Sequence, residues 1–139
     1  MLIDNCYVNF NMNLNNKMAR ILIVDDEEHI RMLYEEELLG EGYQVSTSAT
    51  GINILKLIEE KRPDLIILDI KMTDCNGLDI LQIVRNRYYD LPVILSTAYE
   101  TYKSDIKSMA ADFYVVKSSD LKELKRKIKK ALEAKVPME

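Results

Sequence analysis

The sequence has little of what would cross-link a small fold or bind a metal through sulfur and nitrogen. Its 139 residues include two cysteines, Cys6 and Cys75, and one histidine, His29. The two cysteines show no metal-ligand spacing, which favours a reduced, cytoplasmic setting over a secreted disulfide scaffold. Because 47% of the residues are hydrophobic, the chain can form an apolar core without a disulfide or a structural metal.

Long apolar runs and an excess of positive charge are missing as well. No apolar run approaches the length that crosses a bilayer. The N-terminus has no basic region followed by a continuous apolar stretch, which argues against a secretory signal. The net charge of −4 gives no indication of general nucleic-acid binding. We therefore expect a cytoplasmic protein that contacts neither membrane nor nucleic acid directly.

Residues 1–17 form an asparagine-rich extension ahead of a domain that we place at residues 18–136. Between Val8 and Asn15, apolar residues alternate with asparagines, which is the period of a half-buried strand. Three interpretations stay open for this extension. It is either a disordered tail, or a product of an upstream start codon with Met18 as the natural first residue, or else an extra strand that pairs with a sheet edge in this chain or in a second copy.

From residue 18 onward, strand and helix patterns alternate five times. Strands are predicted at residues 20–24, 43–47, 64–69, 92–97 and 112–116. A helix is predicted after each strand, the fourth at about 99–110, and the first carries Ile30, Leu33, Tyr34 and Leu38 at helical spacing. Such alternation predicts an α/β fold with a parallel sheet, helices on both faces and right-handed crossovers.

Polar residues follow or end four of the predicted strands. They are Asp25 and Asp26 after the first, Asp69 at the end of the third, Thr97 at the end of the fourth and Lys117 after the fifth. In a parallel sheet these positions share one edge, where ligands bind. Each residue alone would be an ordinary strand end or helix cap. Together they favour a site for phosphoryl transfer.

The chemistry of this group is coherent. Carboxylates that lie close together repel, and a hard divalent cation such as Mg²⁺ resolves that repulsion through oxygen ligands. We interpret Asp69 as the nucleophile that accepts a phosphoryl group. Lys117 would contribute positive charge and Thr97 a hydroxyl donor to the phosphate oxygens.

Five stretches of the chain resemble the receiver domain of bacterial two-component response regulators. They are Ile21–Glu27, Pro63–Asp69, Asn76-Gly77, Pro92–Ala98 and Tyr114–Lys117. The resemblance runs from about Met18 to Leu132, and the short layout is similar to the single-domain members of chemotaxis and of the sporulation phosphorelay. It implies a doubly wound, flavodoxin-like sheet of five parallel strands in the order 2-1-3-4-5, with the active site between strands 1 and 3.

The resemblance also implies a function in phosphorelay signalling. Asp69 would accept a phosphoryl group from a sensor histidine kinase or a phosphotransfer protein. The Mg²⁺ ligands would be Asp25, Asp26, Asp69 and the backbone carbonyl of Lys71. Thr97 and Tyr114 would form a switch that alters the face of helix 4, strand 5 and helix 5. The protein would not be an enzyme beyond promoting its own phosphotransfer and slow autodephosphorylation.

The implied partners are the phosphodonor and a downstream protein target, with the chain a monomer or a phosphorylation-dependent homodimer. Side chains at Lys71 and Tyr99 would tune the lifetime of the phosphoryl group. Three residues depart from the family pattern. Thr73 and Ser118 stand where proline is common, and Ala110 stands where glycine is common. If Ala110 were left-handed, it would cost about 1–2 kcal/mol relative to glycine.

Three other functions compete with this interpretation. A haloacid-dehalogenase-like phosphatase would carry Asp-x-Asp after the first strand, where this chain has Asp25-Asp26-Glu27. A flavodoxin-like cofactor carrier needs a phosphate-binding loop rich in glycine and hydroxyl groups after the first strand, and the sequence lacks it. A receiver-fold module that binds partners without phosphorylation stays open as the alternative.

Overall fold

The computed structural model describes residues 18–98 and 110–135. The strands are β1 (Arg20–Val24), β2 (Gln44–Ser48), β3 (Leu65–Asp69), β4 (Val93–Thr97) and β5 (Phe113–Val116). The helices are α1 (Glu28–Gly40), α2 (Ile54–Lys61), α3 (Gly77–Arg87) and α4 (Lys122–Lys135). The predictions for residues 1–17, for Tyr99 and for the helix at about 99–110, up to residue 109, lie outside the described residues. Within the described ranges, no helix is both long enough and apolar enough to cross a bilayer.

The five strands form one parallel sheet in the order β2-β1-β3-β4-β5. This confirms the predicted fold class and strand order. Val24 pairs with Leu68 across β1 and β3, and Asp69 pairs with Ser96 across β3 and β4. The residues that follow the strands therefore meet at one edge. The strand order reverses between β1 and β3, which is the topological position where ligands bind in open α/β sheets.

The core has two layers, one on each face of the sheet. Because side chains alternate along a strand, β1 sends Ile21 and Ile23 to one face and Leu22 and Val24 to the other. The first layer packs against α1 and α4 through Tyr34, Leu38, Leu124, Ile128 and Leu132. The second packs against α2 and α3 through Ile54, Ile58, Leu78, Leu81 and Val84. Helices on both faces explain why β3 is buried at every position.

One of the four apolar residues at helical spacing in α1 lies outside the packed stripe. Tyr34 and Leu38 are buried and Ile30 packs against the core, but Leu33 is 36% exposed. The helix contacts the sheet through a narrow stripe of residues spaced four apart, and Leu33 lies on the flank of that stripe.

The backbone of Ala110 is not left-handed, so it lacks the strain of that conformation. Among the described non-glycine residues, the one with positive φ is Arg62, at 49°. Arg62 ends α2, where its N–H donates to the carbonyl of Ile58 over 2.8 Å. It precedes Pro63, which disfavours a right-handed helical conformation at the residue before it. The replacement of glycine by Ala110 therefore carries no left-handed cost.

Gly77 begins α3 directly against the backbone that carries Asp69. Its N–H donates to the Ile70 carbonyl over 2.6 Å. A Cβ atom at Gly77 would lie 2.0 Å from the Asp69 carbonyl oxygen and 2.7 Å from the Ile70 Cα. Because those atoms belong to the backbone, only glycine fits here. At Gly40, in contrast, a Cβ atom would meet nothing within 4 Å.

We predict opposite effects for the two glycines. Gly77→Ala should lower the free energy of unfolding by about 1–3 kcal/mol, because it overpacks the backbone of β3. Gly40→Ala should raise it by about 0.5–1 kcal/mol, because alanine favours the helix. Urea unfolding of both variants measures this. Equal effects at the two positions would contradict the close approach at Gly77.

Candidate functional site

The amine of Lys117 lies among three carboxylates at the carboxyl edge of the sheet. Its Nζ is 2.7 Å from Asp25 Oδ2, 3.0 Å from Glu27 Oε1 and 3.3 Å from Asp69 Oδ2. The Lys117 side chain is 9% exposed. Its backbone N–H donates to the carbonyl of Thr97 over 2.7 Å, which fixes the residue just after β5. The structure thus brings together Asp25, Asp69 and Lys117, as the sequence predicted.

Asp25 and Asp69 are almost fully buried, at 1% and 3% exposure. Asp25 is held from several sides. Its N–H donates to the Ser48 carbonyl, its Oδ1 accepts from the Glu27 N–H over 2.9 Å, and its carbonyl accepts from Arg31 over 2.7 Å. Asp69 is the last residue of a strand that is buried along its whole length. Both carboxylates therefore stand in fixed positions on rigid elements, away from bulk water.

Burial sets the electrostatics of this group. It raises the pKa of Asp69 to about 6, and repulsion from the Asp25 carboxylate acts in the same direction, whereas Lys117 opposes the shift. Burial alone would lower the pKa of Lys117, but its contacts with Asp25 and Glu27 outweigh that effect and raise it. Lys117 is therefore a permanent cation, while Asp69 is ionised less readily than an ordinary aspartate. A cation near Asp69 would favour the ionised, nucleophilic form.

Asp26 faces a different neighbour. Its Oδ2 accepts two hydrogen bonds from Thr73, one from the backbone N–H and one from the hydroxyl, both 2.7 Å long. Burial disfavours ionisation of Asp26, but the two bonds from Thr73 outweigh it and lower the pKa. Asp26 lies at the predicted edge, and its carboxylate is engaged by the loop that follows β3. Its role as a metal ligand stays a prediction.

The donor set fits a hard divalent cation. Carboxylate oxygens of Asp25, Glu27 and Asp69 all lie within 4.8 Å of one another. Oxygen donors of this kind are the ligands that Mg²⁺ prefers. Sequence reasoning missed Glu27, although it belongs to a run of four acids after β1, at residues 25–28. The backbone carbonyl of Lys71, two residues beyond Asp69, stays a predicted ligand.

Of the two predicted switch residues, Thr97 lies next to this group, because its carbonyl accepts from the Lys117 N–H. Thr97 is buried at the end of β4 and pairs with Val116. Tyr114 in β5 is half-buried, and its carbonyl accepts a hydrogen bond from Lys127 of α4 over 2.7 Å. The sequence did not reveal that the buried Tyr34 hydroxyl reaches Ser96, beside Asp69 in the sheet, over 3.1 Å. The switching roles of Thr97 and Tyr114 stay predictions.

Comparison with known proteins identifies a family for this arrangement. The family model for the response regulator receiver domain matches residues 21–129. The sporulation initiation phosphotransferase F of Bacillus subtilis is 35% identical over 118 residues, covering 84% of this chain and 95% of that protein. A probable transcriptional regulator, ycf27 of Cyanidium caldarium, is 36% identical over 120 residues, and the chain spans 48% of its length.

Solved structures give the same answer. The response regulator TrrA of Thermotoga maritima, in complex with Mg²⁺ and BeF, superposes with a TM-score of 0.79 at 48% identity, covering 82% of this chain and 99% of that one. TrrA in complex with the histidine kinase ThkA superposes with a TM-score of 0.77 at 49% identity, covering 83% and 99%.

The raised pKa of Asp69 predicts a pH-dependent stability in metal-free buffer. In the folded state Asp69 binds its proton up to about pH 6, whereas its unfolded value is 3.8. Its contribution to stability is therefore complete below about pH 4 and is lost as the pH rises through about 6. Asp69→Asn removes the titrating carboxyl group. As the pH rises from about 4 to about 6, the free energy of unfolding of this variant should therefore increase relative to that of the unmodified protein, by up to about 3 kcal/mol.

Urea unfolding of both proteins in the presence of a chelator, from pH 4 to pH 7, measures the difference. A stability difference that stays constant across this range would contradict the raised pKa of Asp69, which burial and the Asp25 carboxylate cause.

Proposed function

Because the chain belongs to the response regulator receiver family, we propose that it is a phosphorelay response regulator that accepts a phosphoryl group on Asp69. The observation that carries this proposal is the position of the Asp69 carboxylate. It is buried at the end of β3 and lies 3.3 Å from the Lys117 amine. A buried carboxylate beside a fixed cation, at the edge where ligands bind, suits attack on a phosphoryl group that carries negative charge.

The transfer needs little chemistry beyond positioning. An oxygen of ionised Asp69 attacks the phosphorus of a phosphohistidine on the donor. The phosphorus–nitrogen bond breaks, its electron pair stays on the imidazole nitrogen, and Asp69 becomes an acyl phosphate. In this proposal the Lys117 amine exchanges a carboxylate contact for the phosphoryl oxygens, and the Thr97 hydroxyl donates to one of them.

Mg²⁺ is the proposed cofactor, since three carboxylates within 4.8 Å of one another provide hard oxygen donors. We assign Asp25, Asp26, Asp69 and the carbonyl of Lys71 as its ligands, and Glu27 lies close enough to take part. When bound, Mg²⁺ would offset the negative charge of the carboxylates and of the phosphoryl group. This charge would also favour ionised Asp69, whose pKa is raised to about 6 in its absence.

A sensor histidine kinase or a phosphotransfer protein is the proposed donor. The similarity to TrrA, which has been determined with a histidine kinase, supports this partner. We further propose that Thr97 and Tyr114 relay phosphorylation to the surface formed by the predicted helix at about 99–110, β5 and α4. The output is then contact with a downstream protein or with a second copy. Location in the cytoplasm and slow autodephosphorylation, tuned by Lys71 and Tyr99, belong to the same proposal.

Phosphorylation by a small-molecule donor tests the proposal. We expect the protein to gain one phosphoryl group when incubated with acetyl phosphate and Mg²⁺, because Asp69 is the buried nucleophile. Asp69→Asn should gain none, and omission of Mg²⁺ should abolish the gain. Intact-mass spectrometry measures each case. Asp90→Asn is the matched control, since Asp90 is exposed and lies before β4, at the opposite end of the sheet.

A gain that persists in Asp69→Asn would assign the phosphoryl group to another residue and contradict the proposal. Absence of any gain, together with failure to bind beryllofluoride, would favour the alternative of an interaction module that works without phosphorylation.

A further inference from the structure

The loop between β3 and α3 is closed firmly at its base. The N–H of Gly77 donates to the carbonyl of Ile70 over 2.6 Å, and Lys71 pairs with Asn76 in an antiparallel bridge. The side chain of Asn76 accepts from the Leu78 N–H over 2.8 Å and so caps α3. The path of the loop is thus set where it leaves β3 and where it enters α3. This loop includes Lys71, whose carbonyl is a proposed ligand.

Thr73 in the same loop is hydrogen-bonded to Asp26, two residues after the end of β1. Its backbone N–H and its hydroxyl both donate to Asp26 Oδ2, each over 2.7 Å. Charge-assisted hydrogen bonds of this length are among the stronger ones in proteins. A proline at residue 73, which the resemblance makes common there, would have neither an N–H nor a hydroxyl. Thr73 therefore gives this chain a connection that the common residue cannot make.

We propose that Thr73 is a positioning residue that sets the affinity for the divalent cation, by fixing the Asp26 carboxylate and the loop of Lys71. Both bonds engage Oδ2, so Oδ1 is the Asp26 oxygen that we assign to the cation. The inference rests on the proposed function, because it concerns the cation that phosphorylation requires. It goes beyond that function by naming a residue that contacts neither the cation nor the phosphoryl group.

The physical reason is the conformational entropy that a side chain loses when it is fixed as a metal ligand. A half-exposed carboxylate such as that of Asp26 samples several rotamers unless a partner holds it. Partners that orient a metal-binding side chain in this way change metal affinity by roughly 10–100-fold when they are removed. Asp26 does not belong to the group of three carboxylates within 4.8 Å of one another. The two hydrogen bonds from Thr73 are what orient its carboxylate.

Titration of the full, unphosphorylated chain with Mg²⁺ tests the inference, with amide NMR shifts as the readout. Thr73→Val removes the hydroxyl and keeps the N–H, so we expect Mg²⁺ to bind about tenfold more weakly. Thr73→Ser keeps the hydroxyl, so the Mg²⁺ affinity of this variant should lie within about twofold of that of the unmodified protein. Thr47→Val, an identical replacement at an exposed position of β2, should leave the affinity unchanged.

A second pair of variants separates positioning from a general structural effect. In an Asp26→Asn background, Thr73→Val should cause no further loss of Mg²⁺ affinity, because Thr73 acts through the Asp26 carboxylate. The inference is overturned if Thr73→Val binds Mg²⁺ as well as or better than the unmodified protein. It is equally overturned if the tenfold loss persists in the Asp26→Asn background.

These outcomes are distinguishable from failure of the proposed function. An unmodified protein that shows no response to Mg²⁺ would overturn both the inference and the proposed metal site. An unmodified protein that binds Mg²⁺ and is phosphorylated on Asp69, but whose affinity does not change in Thr73→Val, would overturn the inference alone.

Discussion

The ion pairs of Lys117 hold the acidic edge of this sheet together. Carboxylates at 1% and 3% exposure have lost most of their hydration, and such groups are costly unless a counter-charge replaces the lost water. Lys117 supplies that charge to Asp25, Glu27 and Asp69 at once. Lys117 follows β5, whereas Asp25 and Glu27 follow β1 and Asp69 ends β3. A long side chain is therefore needed to reach past β4, which lies between β5 and β3 in the sheet.

Lys117 does not fully offset the negative charge of the three carboxylates, and the remaining negative charge explains how the site could work. Burial and repulsion from the Asp25 carboxylate outweigh the attraction of Lys117, so Asp69 stays harder to ionise than an ordinary aspartate. Binding of an additional cation would relieve that deficit. The arrival of a phosphoryl group would give Lys117 a new anionic partner. Events at Asp69 would then redistribute the contacts of Lys117, whose backbone is bonded to Thr97 at the end of β4. Lys117 thus contacts both the proposed phosphoacceptor, Asp69, and a proposed switch residue, Thr97.

The sequence predicted most of the architecture because burial on both faces leaves a clear pattern. The apolar run Leu65–Leu68 predicts a buried strand, and the structure has a buried strand there. The alternation of strands and helices predicts a parallel sheet that brings Asp25, Asp69 and Lys117 to one edge. Other features depend on side-chain direction, which local pattern does not determine. Leu33 has helical spacing yet lies beside the packed stripe. Glu27 joins the acidic group, and Asp26 turns to Thr73, because of contacts between segments far apart in the chain.

The most direct test of the account is a crystal structure of the protein with Mg²⁺ and beryllofluoride, which mimics an acyl phosphate. We expect beryllofluoride attached to Asp69, with the Lys117 amine moved from Glu27 to a fluorine and Mg²⁺ held by the surrounding acidic residues. A structure in which Asp69 carries no beryllofluoride, or in which Lys117 keeps its contact with Glu27 and does not approach the fluorines, would contradict it.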